Sequence, residues 1–132
     1  MKRIYLDNNA TTPVLPEVLE VMLPLYKEQF GNPSSVHWAG REVSGVVENA
    51  REQVARLINC SPAEVVFVAS GSEGDNFAIK GTVEALKDKG NHVITTKVEH
   101  PAVLETCQYL EKQGVEVTYL SVDKDGMLDL KE

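Results

Sequence analysis

The sequence predicts an α/β fold in which parallel strands are joined by crossover helices and preceded by N-terminal helices. The first observation is an alternation. From residue 64 onward, short β-rich runs alternate with helix-length amphipathic stretches in the order strand, helix, strand, helix, strand. The second is the length of the connections, each long enough to carry the chain back over a sheet, which makes neighbouring strands parallel. The third is bulk composition: 132 residues, 42% hydrophobic and 25% charged, suit one domain with a modest core.

The elements follow in order. Ile4-Tyr5-Leu6 is a short extended run leading into Asp7-Asn8-Asn9-Ala10-Thr11-Thr12-Pro13, a polar loop rich in hydrogen-bonding groups. Pro16 to Phe30 repeats Val18, Leu19, Met22, Leu23 and Tyr26 at helical spacing, and Pro24 should kink or split that helix. Gly31-Asn32-Pro33-Ser34-Ser35 ends it, with Ser35 placed to cap the next helix. That helix, about Val36 to Asn59, puts Val43, Val46, Val47, Ala50, Val54, Leu57 and Ile58 on one face, with His37 and Trp38 in its first turn. Val65-Val66-Phe67-Val68 reads as a buried strand. Phe77, Ala78, Val83 and Leu86 mark a helix running to Lys87-Asp88-Lys89-Gly90. His92 to Thr96 is a strand, and Pro101 opens a helix facing Val103, Leu104, Cys107 and Leu110 inward. Val115 to Val122 is a further strand, followed by a turn at Asp123-Lys124-Asp125-Gly126.

Two loops carry chemistry. Ser70-Gly71-Ser72 lies between the Val65–Val68 run and a helix, and Ser72 can N-cap that helix with Asp75 completing an approximate capping box. Free N–H groups at such a helix start can hold a phosphate, or the stretch can be a capped helix with no ligand. Glu99-His100-Pro101 follows the second strand, so both loops should open on the carboxyl edge of the sheet, where ligands collect. No G-x-G-x-x-G is present, and no Lys-Ser or Lys-Thr follows the glycines, which excludes dinucleotide and P-loop readings.

A net charge of −7 argues against a nucleic-acid surface. The chain has no apolar run of membrane-spanning length and no signal-peptide pattern, so a cytoplasmic protein without membrane contact is expected. Cys60 and Cys107 form neither a zinc-binding nor a Cys-x-x-Cys pattern; no metal site is expected, and Cys107 reads as an inert core thiol.

Five blocks resemble the NifS/IscS-type cysteine desulfurases, in that family's order and spacing, over nearly the whole chain. They are Tyr5 to Pro13, Phe30-Gly31-Asn32-Pro33-Ser34-Ser35-Val36-His37, and Gly71-Ser72-Glu73-Gly74-Asp75-Asn76-Phe77-Ala78-Ile79-Lys80-Gly81. Glu99-His100-Pro101-Ala102-Val103-Leu104 and Asp125-Gly126-Met127-Leu128-Asp129-Leu130 complete the set. The resemblance implies a partial fold type I large domain of a pyridoxal-phosphate enzyme in the class V aminotransferase group. Residues 1–60 would be its N-terminal loop and helices, and residues 61–132 a βαβαβ part of the cofactor-binding region. It further implies that Gly71 and Ser72 hold the cofactor phosphate, and that His100 stacks on the pyridine ring and moves protons. L-cysteine would be the substrate, an iron–sulfur scaffold or other sulfur acceptor the partner, and the enzyme a homodimer.

The chain departs from the family pattern just before the turn, where Val68-Ala69-Ser70 stands for the usual Thr-Ser-Gly. Two hydroxyls are lost and a glycine becomes serine. Glu73 and Asp75 suit the helix dipole, yet would oppose a phosphate unless directed away. The family's Schiff-base lysine, in a Ser-x-His-Lys motif, and its mobile-loop cysteine have no counterpart within residues 1–132; Lys80, Lys87, Lys89 and Lys97 match no such motif. The chain by itself is therefore expected to be inactive. Two readings follow: the N-terminal part of a cysteine desulfurase, or a non-catalytic split or truncated module that binds a phosphate-bearing ligand or a protein partner.

Overall fold

The computed structural model describes residues 3–129. These divide into two compact units, with the boundary between residues 66 and 67.

In the first unit, α1 spans Pro16–Lys27 and α2 spans Trp38–Ile58. Helix α1 runs unbroken through Pro24, against the predicted split. Pro24 has no N–H to give, but its carbonyl accepts from Glu28 N–H at 2.8 Å, so the helix closes one more turn before stopping. Ser35 does not cap α2. His37 is the N-cap, without a side-chain bond, because the loop before it is spent elsewhere. Ser35 N–H bonds the Asn32 carbonyl and Ser34 N–H bonds Asn32 Oδ1, both at 2.9 Å, which folds the Gly-Asn-Pro-Ser-Ser loop onto the helix start. Gly40 is buried there, and a Cβ on it would lie 2.1 Å from the Ser35 carbonyl oxygen. Along α2 the predicted face is half-buried at Val43, Val46, Val47 and Ala50, while Leu57 and Ile58 are exposed. Asn59 ends the helix in the left-handed conformation, φ 56°. A 3-10 turn at Pro62–Glu64 follows, closed by a capping box between Ser61 and Glu64.

The second unit is built on one parallel pair. Strands β1 (His92–Thr96) and β2 (Glu116–Leu120) pair with Val93 opposite Val117 and Thr95 opposite Tyr119. Helix α4 (Pro101–Lys112) connects them and packs on β2, and helix α3 (Gly71–Ala85) packs on α4. Cys107 and Leu110 are buried as expected, with Thr106 beside them; its hydroxyl donates to the Ala102 carbonyl at 2.7 Å.

The strand count needs correcting. The described residues contain two strands, not three. Val65–Val68 forms no ladder with β1 or β2, and Val66, Phe67 and Val68 are exposed. An apolar run becomes a strand only where a partner edge meets it, and this run meets none among the described residues. Helix α3 turns a mixed stripe inward. Asn76, Ile79, Lys80 and Val83 are half-buried, whereas Phe77, Ala78 and Leu86 are exposed. The buried set keeps helical spacing but is mixed in polarity, because it borders a cavity against α4. Beyond β2, Val122 and Leu128 form an antiparallel bridge around a turn closed by Gly126 at φ 81°. Leu130, the last residue of the fifth motif, lies outside the described residues. No helix among the described residues is long and apolar enough to cross a membrane.

Candidate functional site

The first turns of α3 and α4 face a shared cavity of about 430 Å³. Helix α3 contributes Ser72, Asn76 and Lys80, each four residues after the last and hence on one stripe. Helix α4 contributes His100 at its N-cap, then Pro101, Ala102, Glu105, Thr106 and Tyr109. Ser72 and His100, predicted on separate loops, therefore line one cavity. The two helix starts bring them together; a common edge of three strands does not.

The α3 start differs in detail from expectation. Ser70, not Ser72, is the N-cap, and its hydroxyl oxygen accepts from Glu73 N–H at 3.2 Å. Its backbone is extended, φ −159°, so this position makes no demand for glycine. Ser72 lies inside the first turn, where its carbonyl accepts from Asn76 Nδ2 at 2.9 Å. The Glu73 carboxylate accepts the Ala69 N–H. No internal acceptor meets the N–H groups of Gly71 and Ser72, as the geometry of a helix start requires. A Cβ on Gly71 would touch nothing within 4 Å, so the turn is open to a ligand approaching the backbone.

His100 has a defined hydrogen-bond arrangement. Its Nδ1 accepts from Ala102 N–H at 3.1 Å and caps α4. A neutral ring in this arrangement carries its proton on Nε2, the nitrogen left for chemistry. Just upstream, Thr96 Oγ1 donates to Glu99 at 3.0 Å and Lys97 N–H continues the ladder to the Leu120 carbonyl, fixing the segment that leads into His100.

At the far end of the cavity the Lys80 ammonium sits 4.6 Å from the centre of the Tyr109 ring. Asn76, Lys80, Glu105, Thr106 and Tyr109 were not singled out from the sequence. The four-residue spacing of Ser72, Asn76 and Lys80 is the signal that finds the α3 side; nothing local marks the α4 side. Cys107 lies on the buried face of α4, fully enclosed, and burial pushes its thiol pKa up, with Glu111 and Glu99 adding to the effect. Such a thiol stays protonated and unreactive. Cys60 is partly exposed in the other unit.

A helix start with unengaged amides and a helix start capped by an imidazole thus line one cavity of an α/β unit. The chain matches the aminotransferase class-V family over residues 4–132, and belongs to it. Within that family it is 54% identical over 130 residues to the cysteine desulfurase IscS of Dictyoglomus turgidum, covering 98% of this chain and 33% of that protein. Its fold superposes on a solved NifS-like protein with a TM-score of 0.90 at 42% identity, over 98% of this chain and 36% of the other. A structure of SspA in complex with cysteine aligns with a TM-score of 0.75 at 40% identity, over 83% of this chain and 32% of that one. The chain thus spans about a third of the length of the proteins it matches.

Proposed function

We propose that the chain is the N-terminal part of a pyridoxal-phosphate-dependent cysteine desulfurase, which converts L-cysteine to L-alanine and passes the sulfur as a persulfide to an acceptor protein. The observation that carries this reading is the α3–α4 cavity that brings Ser72 and His100 together. Support comes from the desulfurase names of its relatives and from the cysteine bound to SspA. The acceptor would be an iron–sulfur scaffold or another sulfur carrier, the enzyme a cytoplasmic homodimer, and residues 1–132 a portion of one large domain.

The residues at the cavity fit the cofactor. The Gly71 and Ser72 N–H groups, unengaged at a helix start, would hold its phosphate, and the Ser72 hydroxyl adds a further donor. The bare Cα of Gly71 leaves room for that approach. Pyridoxal phosphate supplies an electron sink for bonds broken at the substrate α-carbon. His100 would lie against its ring and exchange a proton at Nε2, since Nδ1 is committed to the Ala102 N–H. Bonding of the cofactor to a lysine is not expected within residues 1–132, where no Ser-x-His-Lys occurs.

A titration of the chain with pyridoxal phosphate, followed by borohydride reduction, tests the assignment. Weak, reversible binding that is further weakened in Ser72→Ala and leaves no fixed adduct is expected. A stable adduct on one specific lysine, or binding indifferent to Ser72 and His100, overturns it.

A further inference from the structure

We propose that the far end of the α3–α4 cavity is a subsite for a free α-amino acid, with Lys80 taking the carboxylate and Glu105 the ammonium. The proposal rests on the function proposed above only for which amino acid enters; the subsite itself follows from the placement of charge. Lys80 on α3 and Glu105 on α4 line the same cavity of about 430 Å³, yet the two are not joined as an ion pair. The Lys80 ammonium rests on the Tyr109 ring, 4.6 Å from its centre, a contact that holds the head in place and leaves its N–H donors for a ligand. Glu105 lies one helical turn before Tyr109, so the carboxylate and the ring that carries the cation are neighbours on α4. Among the described residues Glu105 makes no hydrogen bond or ion pair.

The neutral groups of the cavity sort in the same way. Thr106 is buried and gives its hydroxyl proton to the Ala102 carbonyl at 2.7 Å, which leaves its oxygen as an acceptor. Asn76 donates Nδ2–H to the Ser72 carbonyl at 2.9 Å, which leaves Oδ1 as an acceptor. One cation therefore stands against a carboxylate and two neutral acceptors. A ligand with a single charge meets only one side of this arrangement. A zwitterion meets both, and each of its charges exchanges water for a charged partner. His100 borders the same cavity, so the subsite is continuous with the imidazole that the proposed reaction uses.

The test is an amide-resolved NMR titration of the full chain, without cofactor, using L-alanine, acetate and ethylamine and following the signals of Asn76, Lys80 and Glu105. L-Alanine is expected to shift all three and to bind about tenfold tighter than either singly charged probe. Lys80→Met keeps an apolar stem beside Tyr109 and is expected to weaken L-alanine and acetate about fivefold while sparing ethylamine. Glu105→Gln, nearly the same in shape, is expected to weaken L-alanine and ethylamine about fivefold while sparing acetate. Tyr109→Leu removes the ring that holds Lys80 and should weaken L-alanine about twofold, and Tyr109→Phe, which restores a ring, recovers the affinity. Equal affinity for the three probes, or L-alanine binding indifferent to both Lys80→Met and Glu105→Gln, overturns the subsite. A separate titration with pyridoxal phosphate tests the cofactor reading, so its failure is seen apart from that of the subsite.

Discussion

His100 caps α4 and, in the function proposed above, also lies against the cofactor, and substitution separates the two. His100→Ala removes both the cap of α4 and the imidazole, and is expected to lower stability by about 1 kcal/mol. His100→Asn restores a capping acceptor and should unfold with nearly the wild-type melting temperature, while ring-dependent cofactor binding stays lost. Thermal unfolding set beside a cofactor titration reads the two effects apart. Tyr119 makes a second prediction. Burial, then its bond to Glu111 at 2.9 Å, pushes its pKa from the ordinary 10 up to about 12. The neutral phenol is the form the fold favours. Its contribution to stability is complete below pH 10 and is lost as pH rises through about 12. A spectrophotometric titration should show a last phenol ionising near pH 12, and Tyr119→Phe should abolish that step. At this scale the sequence was legible where chemistry is local. His100 before Pro101 and Gly71-Ser72 at a turn can be read from neighbours alone. Tyr109 and Glu105 reach the cavity only because α3 packs on α4, a contact that no local pattern encodes.

The elements themselves separate close packing from mere composition. A Cβ at Gly40 would also lie 2.7 Å from the Asn32 carbonyl oxygen, and neither that atom nor the Ser35 carbonyl can move without the loop. Gly40→Ala should therefore destabilise the first unit by about 1–3 kcal/mol. Gly45, further along the same helix, has nothing within 4 Å of a would-be Cβ, so Gly45→Ala should stabilise by about 0.5–1 kcal/mol. Urea unfolding of the pair, with opposite signs, checks the assignment. Helices α1, α2 and α4 and both strands were readable because their periodicity is a property of each segment. The Val65–Val68 run was read correctly as apolar and wrongly as a strand, since pairing depends on an edge elsewhere. The inner stripe of helix α3 is polar at Asn76 and Lys80, which hydropathy alone assigns to solvent.

For the molecule as a whole, the balance between its two units follows from where apolar surface is buried. The buried hydrophobic residues among those described are Ala39, Ala55, Val65, Cys107 and Leu110, mostly small side chains. Larger ones such as Ile94 and Phe67 remain exposed, which fits a chain that spans a third of its relatives' length. The overall class was legible because strand and helix alternate in order. The β1–α4–β2 connection, with Thr106, Cys107 and Leu110 enclosed beneath it, has a consequence in time as well as in space. Opening it breaks the parallel ladder and uncovers the buried face of α4 in one event, so those amides share one protection. In heavy water, the slowest-exchanging protons of the second unit should therefore cluster in α4 and β2, with similar rates. The Gly71 and Ser72 amides, which no acceptor holds, should exchange among the first.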